Sequence, residues 1–180
     1  MYIKNNSVTK LIFLSILILF TTTNLLAQNH IKWMTWEEAQ AANKKNPKKI
    51  FVDVYTDWCG WCKKMDATTF EDPKIVNYIN KNFYAVKFNA EQKEDIIFNG
   101  KTYKYVSNGT RGYHELANEL MQGRMSYPTS LYLDENLNLL SPVPGYQDVP
   151  TLEMILRFFG EKTYLTSTWE EYQKNYVAPK

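Results

Sequence analysis

Read along the chain, the hydrophobic positions fall into runs that alternate between strand and helix character. Residues 50–56, "IFVDVYT", form a short and nearly continuous apolar run that predicts a buried strand. Cys59 to Thr69 predicts a helix, and Asp72-Pro73 caps a second helical piece through Asn80, with proline at a position that needs no N–H. Phe83 to Asn89 predicts the next strand. Strands separated by helices imply a parallel pair joined by a right-handed crossover, hence an α/β layer architecture. Upstream, Thr35-Trp36-Glu37-Glu38 has the Ser/Thr-x-x-Glu form of a capping box and opens a helix to about Lys45, where Asn46-Pro47 stops it. Thr168-Trp169-Glu170-Glu171 repeats that form and begins the last helix. Shared capping chemistry explains both without an internal repeat.

The rhythm breaks at "IIFNGKTYKYV", residues 96–106, where Asn99-Gly100 between two β-prone arms predicts an inserted hairpin with Tyr103 and Tyr105 on its second arm. Gly112 to Gln122 predicts a helix closed by Gly123, and "YPTSLYLDENLNLLSPVPGY" predicts two strands around a turn at Asp134-Glu135-Asn136. Thr151 to Phe159 predicts a helix ended by Gly160. No inter-domain linker interrupts the series, and 44% apolar residues suit one domain with its own core.

At the N-terminus, Lys4 and Lys10 precede "LIFLSILILF", residues 11–20, the charged-then-apolar grammar of an export signal. A cut after Ala27 makes residues 1–27 a signal peptide and residues 28–180 the working domain. An uncleaved membrane anchor is the alternative, against which counts a strongly apolar stretch shorter than the ~20 residues a spanning helix needs. Removing residues 1–27 takes two of the 21 basic side chains and none of the 19 acidic ones, so the remainder has a formal charge of zero. No basic cluster is left to bind a phosphate backbone, which sets nucleic acid aside as a partner. The abundant Tyr and Trp fit a surface where peptides dock.

Candidate chemistry centres on "YTDWCGWCKK", residues 55–64, which holds both cysteines of the chain. As a structural clip, a Cys59–Cys62 bridge closes so small a loop that it contributes roughly 2 kcal/mol, against about 4.7 for a hundred-residue loop. As a metal site, the pair lacks company: His30 and His114 are the remaining soft candidates, whereas zinc needs about four ligands. As a redox pair, Cys59 at a helix N-terminus has its thiolate favoured by unpaired N–H groups and the dipole, with Lys63 and Lys64 either adding to that field or forming a solvated helix face. Cys62, one turn along, is then placed to attack a mixed disulfide at Cys59, with the first sulfur reachable and the second more sheltered. A carboxylate in the middle of "IFVDVY" is odd for an interior strand unless desolvation of Asp53 raises its pKa enough to exchange a proton with Cys62.

The stretch "FVDVYTDWCGWCK", followed about 65 residues later by "SYPTSLYLD", resembles the thioredoxin superfamily, in particular its exported disulfide reductase and interchange members. The resemblance covers roughly residues 46–160. It implies an α/β thioredoxin-like fold, a central mixed sheet flanked by helices, to which this chain adds the hairpin and a C-terminal helix. It makes Cys59 the attacking and Cys62 the resolving cysteine, with Gly60 and Trp61 as the dipeptide that tunes potential, and Asp53 as the buried acid beneath the pair. It implies a cis proline at Pro128, with Tyr127 offering its backbone to an extended substrate and Trp58 flanking the site. Trp61 stands where thioredoxins proper have proline, which leaves the potential anywhere between about −270 mV and about −180 mV. The expectation is an exported, periplasmic, monomeric thiol–disulfide oxidoreductase without a bound cofactor, its redox group being the Cys59–Cys62 disulfide. Its partners are protein thiols and disulfides, together with a membrane electron donor if it reduces. The rival reading is a peptide-binding or chaperone-like module with idle cysteines.

Overall fold

The computed structural model describes residues 30–179; the expected signal peptide at 1–27 lies outside them. Five strands make the central sheet: β1 (Trp33–Met34), β2 (Lys49–Tyr55), β3 (Phe83–Asn89), β8 (Thr129–Leu133) and β9 (Leu139–Pro144). Their spatial order is β1-β3-β2-β8-β9. β2 and β3 run parallel with Asp53 opposite Lys87, whereas β2 and β8 are antiparallel with Asp53 opposite Ser130. The sheet is therefore mixed, as the resemblance implies.

Alternation along the strands sorts side chains onto two faces. Ile50, Val52, Val54, Val86 and Phe88 pack with Trp36 and Ala39 of helix α1 (Trp36–Lys45) and with Leu116 and Leu120 of helix α4 (Glu115–Leu120). On the opposite face, Phe51, Phe83 and Tyr132 pack under α2 (Gly60–Ala67), α3 (Pro73–Asn82) and α5 (Val149–Gly160), with Tyr132 stacked on Phe159 at 4.3 Å. Burial on both faces is why β2 reads as an unbroken apolar run, and why the charged residues on its inner positions stand out. Helix α6 (Trp169–Asn175) docks Trp169 and Tyr172 on Phe158 of α5 at 5.3 and 5.1 Å, forming the C-terminal addition. The open edge at β9 carries Pro142 and Pro144, which lack the donors a further strand would need.

Both capping boxes form: Thr35 accepts from the Glu38 N–H, and Thr168 from the Glu171 N–H, with each glutamate returning to the cap. The Asn99-Gly100 turn joins β4 (Ile96–Phe98) to β5 (Lys101–Tyr103), both turn residues having positive φ.

Three expectations change. Tyr105 does not extend β5. It begins β6 (Tyr105–Asn108), which pairs with β7 (Arg111–His114) in a second hairpin, so the helix expected from Gly112 begins only at Glu115. The turn between them needs Gly109 at φ +67°, and Gly112 pairs with Ser107 in the ladder, which removes residues 112–114 from the helix. The helix expected over Cys59–Thr69 ends at Ala67, because the Thr68 hydroxyl donates to the Lys64 carbonyl and the chain tightens into a 3₁₀ turn at Thr69–Glu71. Strand β1 has no counterpart in the sequence reading.

Candidate functional site

Cys59 is the N-cap residue of α2, reached by a turn in which its own N–H donates to the Thr56 carbonyl at 3.1 Å. Its Sγ accepts the Cys62 N–H at 3.0 Å, a place that Ser, Thr or Asp oxygens ordinarily fill. Negative charge on this sulfur therefore meets a pointed N–H and the positive end of the helix dipole. Cys59 and Cys62 are joined as a disulfide. Both are buried in this form, Cys59 at 5% exposure and Cys62 at 2%, a smaller contrast than the redox reading expects.

Two aromatic groups frame the pair. Trp58, 51% exposed, donates its indole N–H to Glu91 at 3.0 Å and meets Tyr127 edge-on at 5.8 Å. Tyr127 leads through a cis peptide bond into Pro128, which is buried and whose carbonyl accepts the Gly145 N–H at 2.8 Å. On the other flank, Trp61, 57% exposed, packs against Tyr146 at 5.4 Å, and the Lys64 ammonium lies 4.8 Å from the Trp61 ring. Gly60 between the cysteines has nothing within 4 Å of where a Cβ would stand.

Asp53 lies on the face of β2 that α2 covers and is 1% exposed. Its Oδ2 accepts from the Lys87 ammonium at 2.6 Å, while its Oδ1 is buried with no partner among the described residues. Burial pushes its pKa up to about 6, against the pull of Lys87, and the neighbouring Asp66 carboxylate adds to the rise. Lys87 also donates to Asp66, on the helix that carries both cysteines, and its ammonium sits within 5.0–5.2 Å of the Tyr55, Trp33 and Phe70 rings. Burial draws the Lys87 pKa down, but its two carboxylate partners hold it above its usual value.

The structure thus brings Cys59, Cys62, Trp58, Gly60 and Trp61 onto one loop and helix tip, and joins Tyr127 to them through Trp58. The sequence reading missed Lys87, Asp66, Glu91, Tyr146 and Arg111, the last with its guanidinium 4.6 Å from the Trp58 ring centroid. Lys87 had a signal: a lysine inside "FYAVKFN" is as misplaced in a buried strand as Asp53 in its neighbour. The two histidines lie apart from the pair's surroundings in role: His30 is exposed beside Glu71, and His114 accepts the Leu116 N–H at Nδ1 and sits 3.2 Å from the Glu94 carbonyl at Nε2. Among the described residues no three His, Cys, Asp or Glu side chains gather as metal ligands, and no helix is long and apolar enough to cross a membrane.

A family model, Thioredox_DsbH, a protein of unknown function, DUF255, matches residues 23–142. The chain is similar to spermatogenesis-associated protein 20 of Homo sapiens, 25% identical over 150 residues, which covers 83% of this chain and 17% of that protein. It is also similar to the thiol:disulfide interchange protein DsbD of Pectobacterium atrosepticum, 34% identical over 44 residues, 24% of this chain and 8% of that one. The chain therefore spans under a fifth of either relative's length. Among solved structures, a thioredoxin-fold protein from Helicobacter pylori superposes with a TM-score of 0.56 at 20% identity, covering 72% of this chain and 80% of that one. That likeness shows a thioredoxin-like fold.

Proposed function

We propose a function from the premise that this chain belongs to the Thioredox_DsbH family and has a thioredoxin-like fold holding a CxxC disulfide: it is a thiol–disulfide oxidoreductase acting on other proteins. The observation that carries the proposal is the Cys62 N–H aimed at the Cys59 sulfur from the first turn of α2. In the reducing direction, the Cys59 thiolate attacks a client disulfide, forming one S–S bond to the client and releasing its other sulfur as a thiolate. Cys62 then passes its proton to Asp53, attacks Cys59 Sγ, and frees the second client sulfur, and both client sulfurs take up protons from solvent. Two electrons leave the protein dithiol and two client thiols result. The reverse sequence oxidises a client.

Asp53 is suited to that proton transfer by its unpartnered Oδ1 and by a pKa raised towards neutrality. Trp58, Trp61 and Tyr127 supply the surface an extended client segment lies against, with Pro128 buried next to Tyr127. We place this activity in residues 28–180 after export into the periplasm. There the protein works as a monomer, with a membrane donor supplying electrons if it reduces. The test is insulin reduction by wild type and by the Cys59→Ser, Cys62→Ser double variant. The reading requires the double variant to lose the activity, and equal performance would make the cysteines idle.

A further inference from the structure

The second hairpin, β6–β7, belongs neither to the central sheet nor to the CxxC helix, yet it ends at the site. Its base is tied in place where the His114 N–H donates to the Ala90 carbonyl at 2.7 Å, one residue before the Glu91 that holds the Trp58 indole. From that base the hairpin returns Arg111 to Trp58, with the guanidinium carbon 4.6 Å from the ring centroid. The turn is short, a two-residue connection between Asn108 and Arg111. The ladder is tight as well: at Gly112 a Cβ would collide with the Tyr105 hydroxyl and the Val106 carbonyl. The position of Arg111 is therefore built by the hairpin's own geometry.

A guanidinium stacked on an indole spends its face on the ring and keeps its N–H edges free for a carboxylate. On the opposite flank Lys64 rides on Trp61 in the same manner. Among the described residues neither cation is ion-paired, in contrast to Lys87 and Arg157, which are. Glu91 also lies at Trp58, and its Oε1 is taken by the Trp58 N–H at the ring's edge. Both exposed tryptophans beside Cys59 thus carry a cation that has no ion-pair partner among the described residues.

We propose that Arg111 is a specificity-determining residue: held on the Trp58 ring beside Cys59, it selects client polypeptides that carry an acidic side chain next to their disulfide. This rests on the oxidoreductase reading and deepens it by naming the client chemistry. A carboxylate flanking the client cystine meets the Arg111 edge at Trp58, the residue before Cys59. The pairing lies at the rim of the contact, so it acts chiefly on the rate of productive encounter and weakens with salt.

The test uses the reduced full protein and three synthetic peptide disulfides identical except for Glu, Gln or Lys flanking the cystine. Oxidation of Cys59 and Cys62 is followed by stopped-flow, and the quantity read is the Glu-to-Lys rate ratio within each variant, so a variant that is slower overall still reports. Wild type should prefer the Glu peptide by about fivefold at low ionic strength, with the ratio falling towards one in 1 M salt. Arg111→Gln should bring the low-salt ratio down to what Lys64 alone sustains, about twofold or less, and Arg111→Lys should recover part of it. Equal rates for the three peptides in wild type, or an unchanged ratio in Arg111→Gln, would overturn the proposal while leaving the oxidoreductase reading intact. A reduced protein inert to all three peptides and to insulin would overturn both.

Discussion

Asp53 and Lys87 face each other across two neighbouring parallel strands at 2.6 Å, and the pairing uses only one carboxylate oxygen, leaving Oδ1 buried with no partner among the described residues. The ion pair does not compensate fully for burial, which is why the Asp53 pKa stands at about 6 in spite of an adjacent ammonium.

Stability should therefore fall as pH rises through the Asp53 window. Between the ordinary carboxyl value of 3.8 and about 6, the folded chain holds a proton that the unfolded chain has already released, so raising pH favours unfolding. At neutral pH the ionised, buried group costs about 3 kcal/mol. Asp53→Asn should be more stable than wild type at pH 7 by about that amount and should lose this part of the pH dependence. Chemical denaturation of the disulfide form at pH 4 and pH 7 checks both.

Activity should carry the same group with the opposite preference. As the base for Cys62, Asp53 must be ionised, so turnover should decline as pH drops through about 6. Lys87→Met removes the charge that favours ionisation and should move that limb upward by about one pH unit. A pH–rate profile with an unmoved limb would separate Lys87 from the proton transfer.

Tyr132 offers a test of the core. Its ring is fully buried on Phe51, Phe83 and Phe159, yet its hydroxyl has no partner among the described residues. Removing an unsatisfied buried hydroxyl should be neutral or stabilising by up to about 1 kcal/mol, so Tyr132→Phe should unfold at the same denaturant concentration or higher. A clear loss of stability would mean the hydroxyl is satisfied after all.

Gly112 tests the second hairpin. Gly112→Ala should push the Tyr105 ring and the β6 backbone apart and raise amide exchange over residues 105–114, with little change in β2 or β3. Uniform exchange across the chain would mean the hairpin tolerates the methyl group.

What the sequence made legible was local chemistry with a fixed geometry. A Thr four positions ahead of the first helical turn's end, with Glu at N3, has one low-cost conformation, and both capping boxes formed where the pattern stood. Asn99-Gly100 fixed its hairpin for the same reason. The second hairpin escaped because its glycines, Gly109 and Gly112, abut a stretch rich in helix formers, and periodicity from Gly112 onward favoured the helix. Cross-strand partners were harder still. Asp53 was singled out from its own strand, but that Lys87 would face it depends on register, and that Asp66 would join depends on how α2 lies over the sheet. Arg111 reaches Trp58 across 52 residues of intervening chain, a meeting no local pattern encodes.

The most direct test of the central claim is capture of the covalent intermediate. Reduced Cys62→Ser protein mixed with an oxidised client should accumulate a disulfide-linked adduct at Cys59 that thiol reductant releases, whereas Cys59→Ser should accumulate none. Equal adducts from both variants, or none from Cys62→Ser, would contradict a nucleophile held at the tip of α2.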